Sequence, residues 1–306
     1  MKFTKMQGAG NDFIVINNIK EKIPNEMLPE LARELCTRRM SVGADGLMAA
    51  EAAQQGGDFR MLFFNADGSM GEMCGNGARC IARFGYEEGL AGEEMVIETT
   101  AGPVSAQRLS ENRYRVRLND VTAMEFDKKL TVDMYDTLTE WKCAYVELGN
   151  PAIPHLAVEY TGLEKAELKE LWELGNALRH HKSLPKGANV NFYEIQESGR
   201  IFERTFERGV EDFTYACGTG TGSVAAVLTQ QGRVPLENGS DRCRGFISDN
   251  SCGQAGAAET AKPVVIDMTG GRLEVEVVRG SDGEIADLFL IGPAVTVFKG
   301  ERQVTE

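Results

Sequence analysis

Two cysteines stand in front of glycine-rich segments in the same way. Cys74 begins the segment CGNGARC, and Cys217 begins the segment CGTGTGS. A helix N-terminus presents unpaired N–H groups and partial positive charge, and glycine lets a ligand approach the backbone closely. These features stabilise a thiolate, so we expect the pKa of each cysteine to fall towards neutrality. One such segment is more often a turn than a site, but two in the same register indicate a pair of reactive thiols.

A pair of thiols could invert a carbon centre by acting as base and acid. One thiolate would remove the α-proton of an amino acid, and the opposite thiol would return a proton to the other face. Because that α-proton is very weakly acidic, the developing negative charge must be held by N–H donors in a dry site. No lysine lies in a phosphate-cradling context. The sequence therefore predicts an isomerase that acts without pyridoxal phosphate or any other cofactor.

The elements around the two cysteines also repeat. The strand-like run FRMLFF precedes Cys74, and the run RIFERTFE precedes Cys217. Asn65 lies nine residues before Cys74, as Arg208 lies nine residues before Cys217. An apolar helix is predicted after each Cys-Gly-x-Gly segment. Self-similarity over about half the chain predicts duplicated α/β domains.

Two other regions carry polar residues without predicting a site. The segment 236–262 is polar and rich in glycine and serine, so we interpret it as an insertion or mobile loop in which Cys243 and Cys252 have no catalytic role. His180 and His181 end an amphipathic helix, where a positive charge suits the helix dipole better than a ligand role.

Composition excludes several classes of protein. The chain has 306 residues, a net charge of −13 and a pI of about 4.9, so binding to phosphate backbones or anionic lipid is disfavoured. No apolar run reaches the roughly 18 residues of a transmembrane helix, and the first ten residues do not resemble a signal peptide. The seven cysteines are scattered and odd in number, which argues against a disulfide framework and a structural metal. We expect a cytoplasmic protein with no metal, nucleic-acid or membrane partner.

Five segments of the chain carry a family resemblance. The segments are MQGAGNDFIVI at 6–16, GADG at 43–46, FNADGSMGEMCGNGARC at 64–80, NVNF at 189–192 and FERGVEDFTYACGTG at 206–220. Together they resemble the diaminopimelate epimerase family. The resemblance implies an enzyme that interconverts LL- and meso-2,6-diaminopimelate without pyridoxal phosphate, towards lysine and peptidoglycan. It implies two similar α/β domains, each with a mixed, largely antiparallel sheet wrapped around a central helix, a site in the cleft between them, and a homodimer.

The repeat and the resemblance together give the domain boundaries. Residues 1–118 and 293–306 form the predicted N-terminal domain, because the family's C-terminal residues return to the first domain. Residues 119–292 form the predicted C-terminal domain, with the insertion at 236–262.

The resemblance also assigns roles to individual residues. Cys74 and Cys217 match the two catalytic thiols, and Glu207 is matched to both catalysis and substrate binding. Arg208 offers a planar fork for the distal carboxylate of the substrate, and carboxylate or amide oxygens can accept from its distal ammonium. The residues matched to substrate binding are Asn11, Asn65, Gly75, Asn76, Asn150, Asn189, Glu207, Arg208, Gly218 and Thr219.

The sequence departs from the family pattern at three places. The text GNPAIPHLAV stands where the family has Asn-Pro-His, so Asn150 and His155 match only if three extra residues lie between them. We expect Asn150 to contact the substrate, and His155 to lie near a catalytic thiol and tune its pKa. Gln7 stands where a histidine is common, and Gly46 where some relatives have glutamine.

Two alternatives remain open. A sister racemase with the same thiols could act on histidine or proline, although Arg208 with Asn65 and Asn189 favours a substrate that carries a second amino-acid group. The second alternative is not an enzyme but a thiol redox sensor or an amino-acid binding protein. In that case Cys74→Ala and Cys217→Ala would keep function.

Overall fold

A computed structural model describes residues 1–71, 74–234, 236–237 and 259–303 of the chain. Most of the predicted insertion, with Cys243 and Cys252, lies outside the described residues. The chain divides into two compact units, the first formed by Met1–Arg117 with Ile291–Glu306 and the second by Leu118–Leu290. Among the described residues, no helix has the length and apolarity needed to cross a membrane.

The first unit contains a sheet and three α-helices. A 3-10 helix, Asn25–Met27, leads into the second of these helices. The strands are β1 Lys2–Gly8, β2 Asn11–Asn17, β3 Gly46–Ala52, β4 Phe59–Asn65, β5 Met70–Gly71, β6 Glu94–Thr99, β7 Gly102–Ser110, β8 Arg113–Arg117 and, from the C-terminal segment, β20 Val295–Glu301. The helices are α1 Asn18–Glu21, α2 Leu28–Cys36 and α3 Gly75–Glu87.

Among its described residues, the second unit has two α-helices and a 3-10 helix, Leu163–Lys165. The helices are α4 Leu168–Arg179 and α5 Gly218–Gln230. The strands are β9 Val121–Met134, β10 Thr137–Leu148, β11 Ile153–Glu159, β12 Asn189–Ile195, β13 Ile201–Glu207, β14 Asp212–Thr214, β15 Leu236–Glu237, β16 Glu259–Ala261, β17 Val264–Met268 and β18 Gly271–Arg279, followed by β19 Ile285–Pro293, which runs across the boundary between the units.

The two units share one topology. In the first, β1–β2 is antiparallel, β2–β3 parallel, β3–β4 antiparallel, β4–β6 parallel and β6–β7 antiparallel. In the second, β10–β11, β11–β12, β12–β13, β13–β17 and β17–β18 repeat that order of directions. Helix α2 connects the first parallel pair and α4 connects its counterpart, as parallel strands require a crossover. The prediction of two pseudo-symmetric α/β domains is therefore confirmed.

A central helix packs against the sheet of each unit. Helix α3 contacts β1, β2, β7 and β8, and helix α5 contacts β10, β11, β12 and β18. Eleven of the thirteen residues of α3 are buried, and twelve of the thirteen in α5. Small residues dominate the first turns of both helices, which lets the helices lie close to the strands. Each helix therefore forms the inner layer of its own unit.

Strand β13 separates the two layers of the second unit. Because side chains alternate along a strand, Phe202 and Phe206 enter the apolar cluster that includes Leu171, Leu174 and Leu178 of α4. Glu203, Thr205 and Glu207 occupy the opposite face, where hydroxyl groups of β13 and α5 meet the Glu203 carboxyl. This side of β13 is polar although most of it is buried.

The amphipathic segment before His180 forms two helices where one was predicted. Ala166 adopts an extended conformation with ψ of 139°, which ends the 3-10 helix, and Glu167 is the N-cap of α4. The C-cap of α4 is His180, in agreement with the predicted end of the helix.

Candidate active site

Both cysteines occupy the N-cap position of a thirteen-residue helix. Cys74 precedes α3 with φ of −127°, and Cys217 precedes α5 with φ of −121°. Their carbonyl groups accept the first helical hydrogen bonds, from the N–H of Ala78 at 2.7 Å and of Thr221 at 2.9 Å. The extended N-cap conformation leaves the first N–H groups of each helix outside the helical ladder. Each unit thus presents a thiol beside the positive end of a buried helix.

Asn76, in the first turn of α3, is fixed by two side-chain hydrogen bonds. Its Nδ2 donates to Oδ1 of Asn11 at 2.5 Å, and its Oδ1 accepts from Arg79 at 2.9 Å. Arg79 also donates to the carbonyl groups of Gly75 and Pro293. Burial lowers the pKa of Arg79 to about 10, and the nearby Cys80 and Cys74 act in the opposite direction. A fully buried guanidinium therefore stabilises the start of α3.

A charged cluster holds the side chain of Asn11. Its Nδ2 donates to Asp45 at 3.2 Å, and Asp45 in turn accepts from Arg38 at 2.8 Å. Burial raises the pKa of Asp12, but hydrogen bonds from Arg38 and Lys5 outweigh burial and hold that pKa below its ordinary value. Asp12 consequently stays ionised, and the hydrogen bond to Asp45 holds the Asn11 amide in one orientation.

Asn65 is the last residue of β4, at the start of the turn that follows. It is exposed, its Nδ2 donates to Ser69 Oγ at 3.0 Å, and its N–H donates to the Ser69 carbonyl. These bonds are typical of a turn residue. The predicted contact of Asn65 with a substrate remains a prediction.

The pKa of the Cys217 thiol differs from the one expected from the sequence. Burial raises the pKa of Cys217 well above its ordinary value, the Glu207 carboxylate adds to the increase, and Thr219 and the N–H of Gly220 act against it. The Sγ atom lies 3.6 Å from Thr219 Oγ1. The expected fall towards neutrality is therefore wrong for Cys217, because desolvation and a neighbouring carboxylate outweigh the helix N-terminus.

His155 lies on β11, directly opposite Asn189 in the parallel pair with β12. Its Nδ1 is 3.3 Å from Nδ2 of Asn191, and its Nε2 is buried with no hydrogen-bond partner among the described residues. Burial, helped by the charge of Arg208, lowers the pKa of His155 to about 3. The ring is therefore neutral at ordinary pH, and its predicted influence on a catalytic thiol remains a prediction.

The remaining predicted residues lie at the ends of strands or in the first helical turns. Asn189, the first residue of β12, accepts from the N–H of Arg208 at 2.7 Å, and Arg208 donates to the Lys186 carbonyl. Glu207 is the last residue of β13. Gly75, Gly218 and Thr219 are buried in the first turns of α3 and α5. Asn150 is exposed and precedes Pro151 through a cis peptide bond.

Sequence reasoning missed three buried polar residues near these positions, Arg79, Asn191 and Glu203. Alternation along IFERTFE could have identified Glu203, since it places Glu203 and Thr205 on the same face as Glu207. Glutamate is so seldom fully buried that the pattern alone favoured a solvated position.

Two cavities formed by the described residues lie away from the predicted site residues. One of about 500 Å³ in the first unit is lined in part by Lys2, Lys20 and Lys299. Another of about 230 Å³ in the second unit lies beside Cys143 and Arg233. Within the same described ranges, no group of three or more histidine, cysteine, aspartate or glutamate side chains could hold a metal ion.

Comparison with known proteins adds independent information. A family model described as diaminopimelate epimerase matches residues 3–123 and 145–297. The diaminopimelate epimerase of Hydrogenobaculum sp. (strain Y04AAS1) is 38% identical over 229 residues, which cover 72% of this chain and 80% of that protein. The diaminopimelate epimerase of Moorella thermoacetica is 31% identical over 318 residues and covers 98% of this chain and 99% of its own length.

Solved structures share the fold at low sequence identity. A phenazine biosynthesis protein of the PhzF family from Bacillus anthracis has a TM-score of 0.68 at 15% identity and covers 99% of both chains. A probable proline racemase from Agrobacterium radiobacter K84 has a TM-score of 0.66 at 17% identity, covering 99% of this chain and 93% of its own. These likenesses support the two-domain architecture alone.

Proposed function

This chain belongs to the diaminopimelate epimerase family, and from that premise we propose that it interconverts LL- and meso-2,6-diaminopimelate. The observation that carries the proposal is the duplicated N-cap cysteine, within a family match that spans most of the chain. Each thiol stands beside helix N–H groups suited to a carboxylate. The enzyme is an isomerase that needs no cofactor.

The proposed reaction removes a proton from the α-carbon of the substrate and then returns a proton to the same carbon. The thiolate of one cysteine removes the α-proton, and the N–H groups stabilise the enolate-like carboxylate that develops. The thiol of the other cysteine then donates its proton to the opposite face. The carbon is inverted, and the two cysteines have exchanged protonation states. Proton exchange with solvent, or a turnover in the reverse direction, restores the starting form.

The high pKa of Cys217 is compatible with this cycle. A buried thiol near Glu207 is protonated before the reaction, as a proton donor must be. It becomes a thiolate only as the carbanion-like centre is neutralised. Cys217 therefore suits the role of resting acid, and Cys74 would be the base in the same turnover.

The proposed substrate carries a second amino-acid group, which separates it from the single-centred alternatives. Arg208 would bind its distal carboxylate, with Asn65, Asn150 and Asn189 near its distal ammonium. Full-length relatives at 31% identity or more are diaminopimelate epimerases, whereas the proline racemase structure is only 17% identical. These facts favour diaminopimelate over proline or histidine.

Three further parts of the proposal concern the cellular setting. The reaction would supply lysine and peptidoglycan precursors, the protein would be cytoplasmic, and it would work as a homodimer. Its only partner besides a second copy would be the small-molecule substrate.

The test uses purified protein in deuterium oxide with LL-diaminopimelate, L-proline and L-histidine as separate substrates. Meso product with deuterium at the inverted carbon is expected from the first substrate alone. Cys74→Ala and Cys217→Ala should each abolish inversion, while Cys143→Ala, which removes a buried thiol outside the proposed site, should retain it. Turnover of proline or histidine instead would favour a sister racemase, and inversion by both alanine variants would exclude the two-thiol mechanism.

A further inference from the structure

Glu203 is a buried carboxyl group in the middle of β13. Only 1% of the residue is exposed, and its two carboxyl oxygens lie 2.9 Å from the Thr221 hydroxyl and 3.4 Å from the Thr205 hydroxyl. A buried carboxylate without a cation is costly, so the neutral acid is the favoured form. The substrate roles proposed above make no use of this residue.

We propose that Glu203, in its protonated form, is a positioning residue that fixes the first turn of α5 and thereby the thiol of Cys217. The structural part of this inference stands on hydrogen bonds within the second unit. Its consequence for catalysis rests on the proposed function.

The hydrogen count at Thr221 favours a proton on Glu203. The Thr221 hydroxyl lies 2.9 Å from Glu203 Oε2 and 2.9 Å from the Cys217 carbonyl oxygen, yet it has one hydrogen to donate. If Glu203 is protonated, its O–H donates to Thr221, and Thr221 donates to the Cys217 carbonyl. If Glu203 is ionised, the carboxylate and the carbonyl compete for the same hydrogen. Protonation therefore keeps the bond that holds the N-cap residue.

A second arm of the network reaches His155. Thr205 Oγ1 donates to Asn191 Oδ1 at 3.1 Å, and Asn191 Nδ2 donates to the Leu156 carbonyl and towards His155 Nδ1. A Cβ atom at Gly220 would lie 2.1 Å from Asn191 Oδ1, so this arm packs directly against the first turn of α5. Thr205 and Thr221, one from each arm, both contact the Glu203 carboxyl group. The protonation state of Glu203 therefore affects the packing of the whole first turn of α5.

The charged and titratable groups around Glu203 reinforce this inference. Glu207 lies on the same face of β13, Cys217 on α5, and His155 on β11. Tyr193, directly opposite on β12, bonds through its hydroxyl to Arg233. Burial raises the pKa of Glu203 to about 8, against smaller lowering by Thr221 and Thr205. Ionisation above that pH would add a second carboxylate near Cys217 beside Glu207.

The experiment follows Cys217 without any substrate. The rate at which iodoacetamide alkylates Cys217 is measured from pH 6 to 11 by peptide mass spectrometry, in the wild type, Glu203→Gln and the exposed control Glu197→Gln. A glutamine amide can donate to Thr221 at every pH and cannot ionise. The midpoint of alkylation is expected to fall by roughly one pH unit in Glu203→Gln and to stay unchanged in Glu197→Gln.

An unchanged or higher midpoint in Glu203→Gln would overturn the proposal. If that variant does not fold, Thr221→Val and Thr221→Ser replace it, and the valine variant alone should shift the midpoint. Activity gives the second readout, since Glu203→Met should lower kcat at least about tenfold more than Glu203→Gln, with little change in KM. If the wild type fails to invert diaminopimelate, the proposed function falls, but the alkylation result still decides the role of Glu203.

Discussion

The side-chain amide of Asn76 donates to Oδ1 of Asn11 across 2.5 Å, which links the first turn of α3 to the first residue of β2. The same Asn76 accepts from the buried Arg79. One amide therefore positions a proposed substrate residue and satisfies a buried cation.

Replacing Asn76 with alanine should damage both stability and activity. The change leaves one N–H of the Arg79 guanidinium without an acceptor in a buried environment, which costs about 1–3 kcal/mol. Urea denaturation should show this loss for Asn76→Ala and a change within about 0.5 kcal/mol for Asn25→Ala, which alters an exposed asparagine. Equal stability of both variants would contradict the role given to Asn76.

Alanine should be tolerated at Gly77 and not at Gly220, although the two positions match in the repeat. The added Cβ at Gly77 would meet Met48 Sδ at 3.3 Å, and a methionine side chain can adjust. At Gly220 it would lie 2.1 Å from Asn191 Oδ1. We expect Gly220→Ala to lose about 1–3 kcal/mol of stability and Gly77→Ala much less, as measured by urea denaturation. A reversed order would refute the packing described here.

Glu203→Gln should change how stability depends on pH. Burial raises the folded pKa of Glu203 from 4.5 to about 8, so the favourable contribution of the protonated acid is complete below pH 4.5 and is lost as pH rises to 8. The loss is at most about 1.4 kcal/mol per pH unit. The stability of Glu203→Gln relative to the wild type should therefore increase between pH 5 and 8. If the free energies of unfolding of the two proteins changed equally with pH across this range, Glu203 would not be a buried neutral carboxyl.

At lower pH, His155 should make the free energy of unfolding rise with pH, which is the opposite of the effect of Glu203. Its folded pKa is lowered from 6.5 to about 3, so the unfolded chain takes up a proton first as pH falls. The contribution to stability is present above pH 6.5 and is lost towards pH 3, again by at most about 1.4 kcal/mol per unit. His155→Gln should flatten this part of the curve, whereas Asn25→Ala, which alters an exposed residue without a titrating side chain, should leave it unchanged. Guanidinium unfolding at half-unit intervals from pH 4 to 7 would measure both.

Much of the fold was predictable because local patterns and tertiary packing agree. The runs KFTKMQ and FIVIN form β1 and β2, IFERTFE forms β13, and the glycine-rich segments open helices. The repeated Cys-Gly-x-Gly pattern predicted two similar domains, because two similar segments fold in similar ways.

The environment of the site was harder to predict because burial is a property of the whole unit. A helix N-terminus favours a thiolate, but nothing in CGTGTGS states that Cys217 would be desolvated beside Glu207. Nor does a glutamate that stands between Phe202 and Arg204 indicate its own burial. The sign of each pKa shift depends on burial by other helices and strands of the unit, which the local sequence does not specify.

The long hairpin of β9 and β10 has a practical consequence. Its turn at Tyr135 and Asp136 has positive φ at both residues, and the family model skips residues 124–144. Tyr135 and Leu138 are largely exposed at this tip. Exposed tips tolerate added segments better than packed elements do. A fluorophore or affinity label introduced between Tyr135 and Asp136 would therefore report on the protein while leaving both thiol-bearing helices untouched.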